Sequence, residues 1–205
     1  MRENFIQTGK RGADGRTYIE NDWYKKGISP NAAFGDHVYL DTSYGFASFH
    51  SKQNEGLLME EASGCYDIVS FIVSGNGKIK VGEYSIINGA TIICNNEITI
   101  GKHCMVAWGA VISDNWFDTQ VPSIQERREL IKNAANDPQR EYPFCKRTAP
   151  VVLEDNCWVG FGAVILPGVT LGEGCVVASK TVISEDVPPY AVVAGSPARI
   201  VKYLR

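Results

Sequence analysis

A period of six constrains this chain more than any other feature. From Leu153 an aliphatic residue returns at every sixth position, Leu153, Val159, Ile165, Leu171, Val177 and Ile183. Four residues after each stands a small or modest side chain: Cys157, Ala163, Val169, Cys175, Thr181 and Val187. The middle of the chain repeats the pattern at Val81, Ile87 and Ile93 and then, after one extra residue, at Ile100, Val106 and Ile112. Six fits neither an amphipathic helix nor a simple alternating strand, because every apolar peak is followed by a regularly placed turn. Gly82, Gly101, Gly160 and Gly172 directly follow aliphatic members of the series, where a Cβ would crowd a tight corner. Short strands joined by corners satisfy such a pattern. No single coil can bury its own apolar face, so the coils must stack into a solenoid with a continuous interior.

The pattern divides the chain into an N-terminal arm or cap over 1–33, an all-β solenoid over 34–190 and a C-terminal segment over 191–205. Residues 34–51 and 59–71 read as degenerate rungs, with an irregular stretch from Ser51 to Glu61 between them. A long insertion over 114–150 breaks the period, and loops of that length without secondary structure are uncommon in compact domains. Ser123 and Glu126 form a capping-box pair, and Ile124, Leu130, Ile131 and Ala134 make an apolar stripe before Asn136-Asp137-Pro138. The insertion therefore contains a helix, placed either on the solenoid or as the wall of a pocket. After Val187-Pro188-Pro189-Tyr190 the strand pattern stops, and Ala198 to Arg205 reads as a short C-terminal helix.

Composition excludes several classes. With 20 Lys and Arg against 23 Asp and Glu, the surface lacks the positive field that non-specific nucleic-acid binding needs. There is no run of apolar residues long enough to span a membrane and no secretory signal, so the expected setting is cytoplasmic. Six cysteines (Cys65, Cys94, Cys104, Cys145, Cys157 and Cys175) show neither C-x-x-C pairs nor zinc-site spacing. They are read as buried thiols acting as small hydrophobes, with no metal expected.

Over Pro150 to Lys202 the sequence contains W-V-G-F-G-A, L-P-G-V-T, D-V-P-P-Y and A-G-S-P-A-R in that order. This stretch resembles the hexapeptide-repeat acyltransferases, whose triangular coils of three hexapeptides wind as a left-handed parallel β-helix. The resemblance implies an acyl-CoA-dependent acyltransferase, with acetyl-CoA as donor and a sugar or nucleotide sugar as acceptor. It also implies a homotrimer whose sites lie between neighbouring subunits. Carried over by motif, Trp158, Gly160 and Gly162 would flank the pantetheine arm, and Ala178 and Ser179 would offer backbone contacts. Gly195, Pro197, Ala198 and Arg199 would sit at the adenine end, with Lys180, Arg199 and Lys202 as phosphate partners. Each has a plainer reading as turn glycine, packed aromatic or solvated base. Lys180 departs from the pattern, standing where glycine is common.

The catalytic base is the second departure. Many of these enzymes carry a motif resembling I-S-D-x-x-x-H before the long loop, with the final His as base; here Ile112-Ser113-Asp114-Asn115-Trp116-Phe117-Asp118 ends in Asp118. His37 and His103 share a corner register, which leaves His50 as the histidine not explained by the repeat. Asp118 ranks first and His50 second, with Asp114 a turn or orienting residue. Two other functions stay open. One is a binding or assembly protein that lost catalysis with the histidine, and the other a metal hydratase resembling the γ-class carbonic anhydrases, which needs three converging histidines.

Overall fold

In a computed structural model, which describes residues 10–116, 123–136 and 147–204, the chain winds through three parallel sheets. Sheet I begins with Ala32–Phe34, sheet II with Tyr39–Leu40 and sheet III with Ser70–Val73, above which Phe49 adds a single bridge to Val73. The chain visits I, II and III in turn. Successive coils, numbered 1 to 6, have their strands within residues 32–49, 57–73, 78–94, 97–113, 151–165 and 170–183, each with the corner that follows, and a partial seventh has its strand within 187–194. The fold is a left-handed parallel β-helix.

Registers confirm why the period is six. On sheet II the inward column is Leu40, Cys65, Ile87, Val106, Val159, Val177 and Val193, paired step by step and all buried. On sheet I it is Met59, Val81, Ile100, Leu153 and Leu171, and on sheet III Ile92, Ile112, Ile165 and Ile183. Stacking like on like gives each aliphatic group neighbours above and below, worth about 1.5–3 kcal/mol per fully buried side chain. The small residues four positions on, Cys157, Ala163, Val169, Cys175, Thr181 and Val187, are buried beside them.

Ile93 is a correction. It pairs with Ile72 and Ser113 and stays partly exposed, while Ile92 takes the inward place. The turn at Asn88-Gly89 is one residue shorter than the equivalent Ala107-Trp108-Gly109, which advances the inward register by one. A second correction concerns the C-terminus, where Arg199–Tyr203 is not helical but a strand antiparallel to Ala191–Ala194. The end of a solenoid leaves the last strand's N–H and C=O groups unpaired. A segment carrying Ile200, Val201 and Tyr203 is well suited to cover that edge.

At the other end, Ile19 and Ile28 are buried in the same hydrophobic cluster as coil 1. Asp22 ties this arm down. Its buried carboxylate accepts from the hydroxyls of Thr42 and Ser43 and from the Ser43 amide at 3.1 Å. The insertion leaves after sheet III of coil 4 through a two-stranded hairpin, Asn115–Trp116 with Arg147–Thr148. Beyond it α1 spans Ile124–Asn136, started by Ser123, whose Oγ accepts the Glu126 amide at 3.2 Å and donates to the Glu126 carboxylate at 2.8 Å. None of its residues is buried, and Leu130 and Ala134 of the apolar stripe are half-buried. Among the described residues, no helix is long and apolar enough to cross a membrane.

Candidate active site

The corner between sheets II and III is built to a backbone rule. Asp67, Gly89, Gly109, Gly162, Lys180 and Gly195 all have positive φ, one in each successive coil from 2 to 7. The turn geometry favours glycine there, and Lys180 adopts it at φ +60 with its N–H donating to Phe161 O at 2.8 Å. Its side chain runs back over Gly162, where a Cβ would sit 2.7 Å from the Lys180 Nζ. Gly160 is required by stacking instead, since a Cβ would lie 2.7 Å from the Ser179 amide and 2.8 Å from Val177 O.

Sequence-predicted cofactor residues gather at this corner. Gly160 and Ala178 are in register on successive coils, followed by Ala194 and, across the antiparallel pair, Arg199. One step away Trp158, Val176, Val192 and Lys202 form the outward column of sheet II. Trp158 is half exposed, Ser179, Lys180, Gly195, Pro197, Arg199 and Lys202 are exposed, and Ala178 and Ala198 are half-buried. A Cβ on Gly195 would lie 3.3 Å from Pro197 O, a tight approach, and φ +96 there favours glycine. The set offers a shallow track of small residues with three basic side chains at its lower end. Such a track fits a slender chain ending in phosphates.

Of the three residues proposed for proton transfer, the two that are described, Asp114 and His50, are not brought together. Asp118 lies outside the described residues. Asp114 is fully buried at the corner between sheets III and I, where its carboxyl accepts the amides of Asn95 at 2.8 Å and Asn96 at 2.7 Å. Burial pushes its pKa above the usual carboxylate value, against the pull of those amides. Its own carbonyl accepts the Ala149 amide at 2.8 Å, so Asp114 holds the base of the insertion. His50 is exposed on the same corner, its N–H donating to Val73 O at 2.9 Å, in coil 1. Three strand spacings separate it from Asp114, about 14 Å.

His37 and His103 stand at the corner between sheets I and II with φ +59 and +54, and His103 stacks on Tyr84 at 5.2 Å. Both serve the turn. Cys65, Cys94, Cys104, Cys157 and Cys175 are free and buried, and burial pushes the Cys65 and Cys94 thiols up. Among the described residues no group of three His, Cys, Asp or Glu could hold a metal ion, which leaves the hydratase alternative without a donor set there. Sequence reasoning missed Trp108 and Phe161, exposed rings stacked at 5.4 Å on the II–III corner. The available signal was large aromatics at corner positions otherwise kept small.

Residues 150–185 match the family model described as bacterial transferase hexapeptide (six repeats). The galactoside O-acetyltransferase of Escherichia coli (strain K12) is 30% identical over 112 residues, covering 55% of this chain and 47% of that protein. The 2,3,4,5-tetrahydropyridine-2,6-dicarboxylate N-acetyltransferase of Brevibacillus brevis is 53% identical over 55 residues, 27% of this chain and 23% of that one. The chain thus spans no more than about half the length of these curated relatives. A hexapeptide-repeat acetyltransferase from Vibrio cholerae, solved with acetyl coenzyme A, superposes with a TM-score of 0.57 at 28% identity, covering 73% of this chain and 72% of that one. By its repeat, its three-sheet topology and these likenesses, the chain is a hexapeptide-repeat protein with the left-handed β-helix of the hexapeptide-repeat acyltransferases.

Proposed function

We propose that this protein is an acyl-CoA-dependent acyltransferase, moving acetyl from acetyl-CoA to a hydroxyl or amine of a sugar or nucleotide sugar. The observation that carries this reading is the gathering of Trp158, Gly160, Gly162, Ala178, Lys180, Gly195 and Arg199 along one end of one corner, from motifs spread over some forty residues of sequence. Small residues would admit the pantetheine arm, and Lys180, Arg199 and Lys202 would meet the phosphates. The acetyl-CoA seen with the Vibrio cholerae protein and the galactoside named for the Escherichia coli relative favour the same donor and acceptor classes.

The proposed assembly is a homotrimer, and the geometry of the corners supports a site shared between subunits. Asp114, and with it the insertion bearing Asp118, leaves from the III–I corner, whereas the cofactor track lies on the II–III corner. Four residues of strand separate the two within a coil, roughly 13 Å at the usual rise. A site using both is best made by the III–I corner of one subunit approaching the II–III corner of the next. Light scattering of a stable monomer at micromolar concentration would remove the shared site.

A hydroxyl acceptor needs a positioned base, whereas a neutral amine is already nucleophilic. Asp118 takes the base role first and His50 second, with Asp114 positioning the insertion. Replacing Ala178 by Trp should block CoA binding in calorimetry without unfolding the coil, and unchanged affinity would end the cofactor assignment. Turnover with a panel of sugars and amino sugars should fall about a hundredfold in Asp118→Asn, the usual loss of a general base. Activity lost instead in His50→Ala reverses the order. A wild type that binds no CoA and transfers nothing would favour the binding-protein reading, which the aspartate at the histidine position also favours.

A further inference from the structure

We propose that the upper part of the II–III corner, Asp67 with Trp108 and Phe161, is the acceptor subsite and takes a saccharide ring; this rests on the acyltransferase reading. The rings do not pack into this chain's own interior. Ala107 and Ala110 fill the inward places of that turn, while Trp108 and Phe161 leave 44% and 53% of their surface in water. Exposed large aromatics stacked on a corner whose neighbouring positions include Gly89, Gly109 and Gly162 point outward to a ligand.

Trp108 is held on three sides. Phe161, one coil below, stacks on it with ring planes 15° apart. Gly89, one coil above, makes room for it, since a Cβ there would lie 2.6 Å from Trp108 Cδ1. Two coils above, the Asp67 carboxylate accepts the indole N–H. Asp67 is fixed in turn, its amide donating to the Asp41 carboxylate, which also accepts the Tyr39 hydroxyl. A preset indole loses little freedom when a ligand covers it, which is how rigid aromatic anchors raise affinity.

The chemistry matches one ligand class. Aromatic surface receives the C–H face of a pyranose, and carboxylates with lone pairs to spare accept its hydroxyls. Two carboxylates at this end disfavour an anionic ligand, so the saccharide is neutral or carries an amine. Phe161 sits between Gly160 and Gly162, so a sugar on this platform lies directly beside the proposed pantetheine track. Donor and acceptor would share one corner, the phosphates at the Lys180 end and the hydroxyls at the Asp67 end.

Saturation-transfer NMR with the methyl glycosides of galactose, glucose and glucosamine, on the full chain without CoA, tests this. The wild type should transfer saturation to ring C–H protons of at least one glycoside. Trp108→Ala should weaken that binding at least tenfold and Asp67→Asn severalfold, with CoA affinity in calorimetry unchanged within twofold and Trp108→Phe intermediate. If Trp108→Ala fails to fold, Asp67→Asn carries the same test. No saturation transfer in a wild type that binds CoA would overturn the proposal, as would undiminished binding in the variants. So would a loss of oligomeric state in Trp108→Ala without saccharide binding, which would make the patch a contact between copies of this chain. A wild type that binds glycosides but not CoA would sink the acyltransferase reading and leave the saccharide site standing.

Discussion

Coils 5 and 6 and coils 1 and 2 enclose the same triangular interior by different means. In coils 5 and 6 the inward positions of residues 151–183 are aliphatic, small or a single Thr, and Gly160 and Gly172 sit where a Cβ would meet backbone of the next coil. Coil 1 replaces its third strand with a 3₁₀ turn, Ser43–Phe46, and fills the space with Phe46, Phe49 and Phe71. Side-chain hydrogen bonds take over where the repeat lapses. Asn31 Nδ2 donates to Ser51 O at 3.1 Å and Gln53 O at 3.0 Å, and Ser51 Oγ donates to Gly77 O at 2.7 Å. Constant coil length lets like residues stack and makes the period visible. Variable coil length needs local solutions that leave no period.

The largest effect should come from the regular end. Ile165 is fully buried between Ile112 and Ile183, so Ile165→Ala should cost about 2–5 kcal/mol in denaturant unfolding. Phe46→Ala, at a partly buried aromatic of coil 1, should cost less. Equal losses would erase the contrast between the two ends.

Gly160→Ala should follow, at roughly 1–3 kcal/mol, because its Cβ would press on the backbone of Ala178 and Ser179 rather than on a movable side chain. Thermal unfolding of the variant reads it. A shift within experimental error would mean that coils 5 and 6 separate readily, against the tight stacking described above.

At the irregular end, Asp22→Ala should cost about 1–3 kcal/mol by stripping buried partners from Thr42 and Ser43. In a solenoid the damage should stay local, so hydrogen exchange should quicken over residues 28–49 and hold steady over 151–183. Acid should act at the same place. Burial alone would raise the Asp22 pKa, but the Ser43 and Thr42 hydrogen bonds outweigh it and hold the value below the usual carboxylate range. The stability this lends is present above the unfolded value of about 3.9 and is lost as pH falls through the depressed folded one. Exchange measured from pH 5 downward should therefore show the N-terminal arm loosening first. Uniform loss along the solenoid would contradict that.

The smallest effect is expected at Lys180. Lys180→Gly relieves a left-handed backbone but adds chain entropy to the unfolded state, so melting should rise slightly, by under about 1 kcal/mol. A fall would show that the side chain lying over Gly162 holds the two coils together.

Residues 151–183 by themselves determined the solenoid, its inward columns and the corner glycines, because a repeat of fixed length carries its own register. The start of α1 at Ser123 was legible for the same local reason, a cap pair three residues apart. Only the tertiary structure decided that Ile92 rather than Ile93 faces inward, since a turn one residue shorter is visible only when its neighbours are stacked on it. It also decided that Arg199–Tyr203 is a strand, because the neighbouring Ala191–Ala194 offers a free edge only once it has stacked on the coil before it. The site divides likewise. Motif order placed the proposed cofactor residues close to one another, but the distance between their corner and that of Asp114, and the seating of Trp108 between Asp67 and Phe161, depend on residues far apart in sequence meeting across coils.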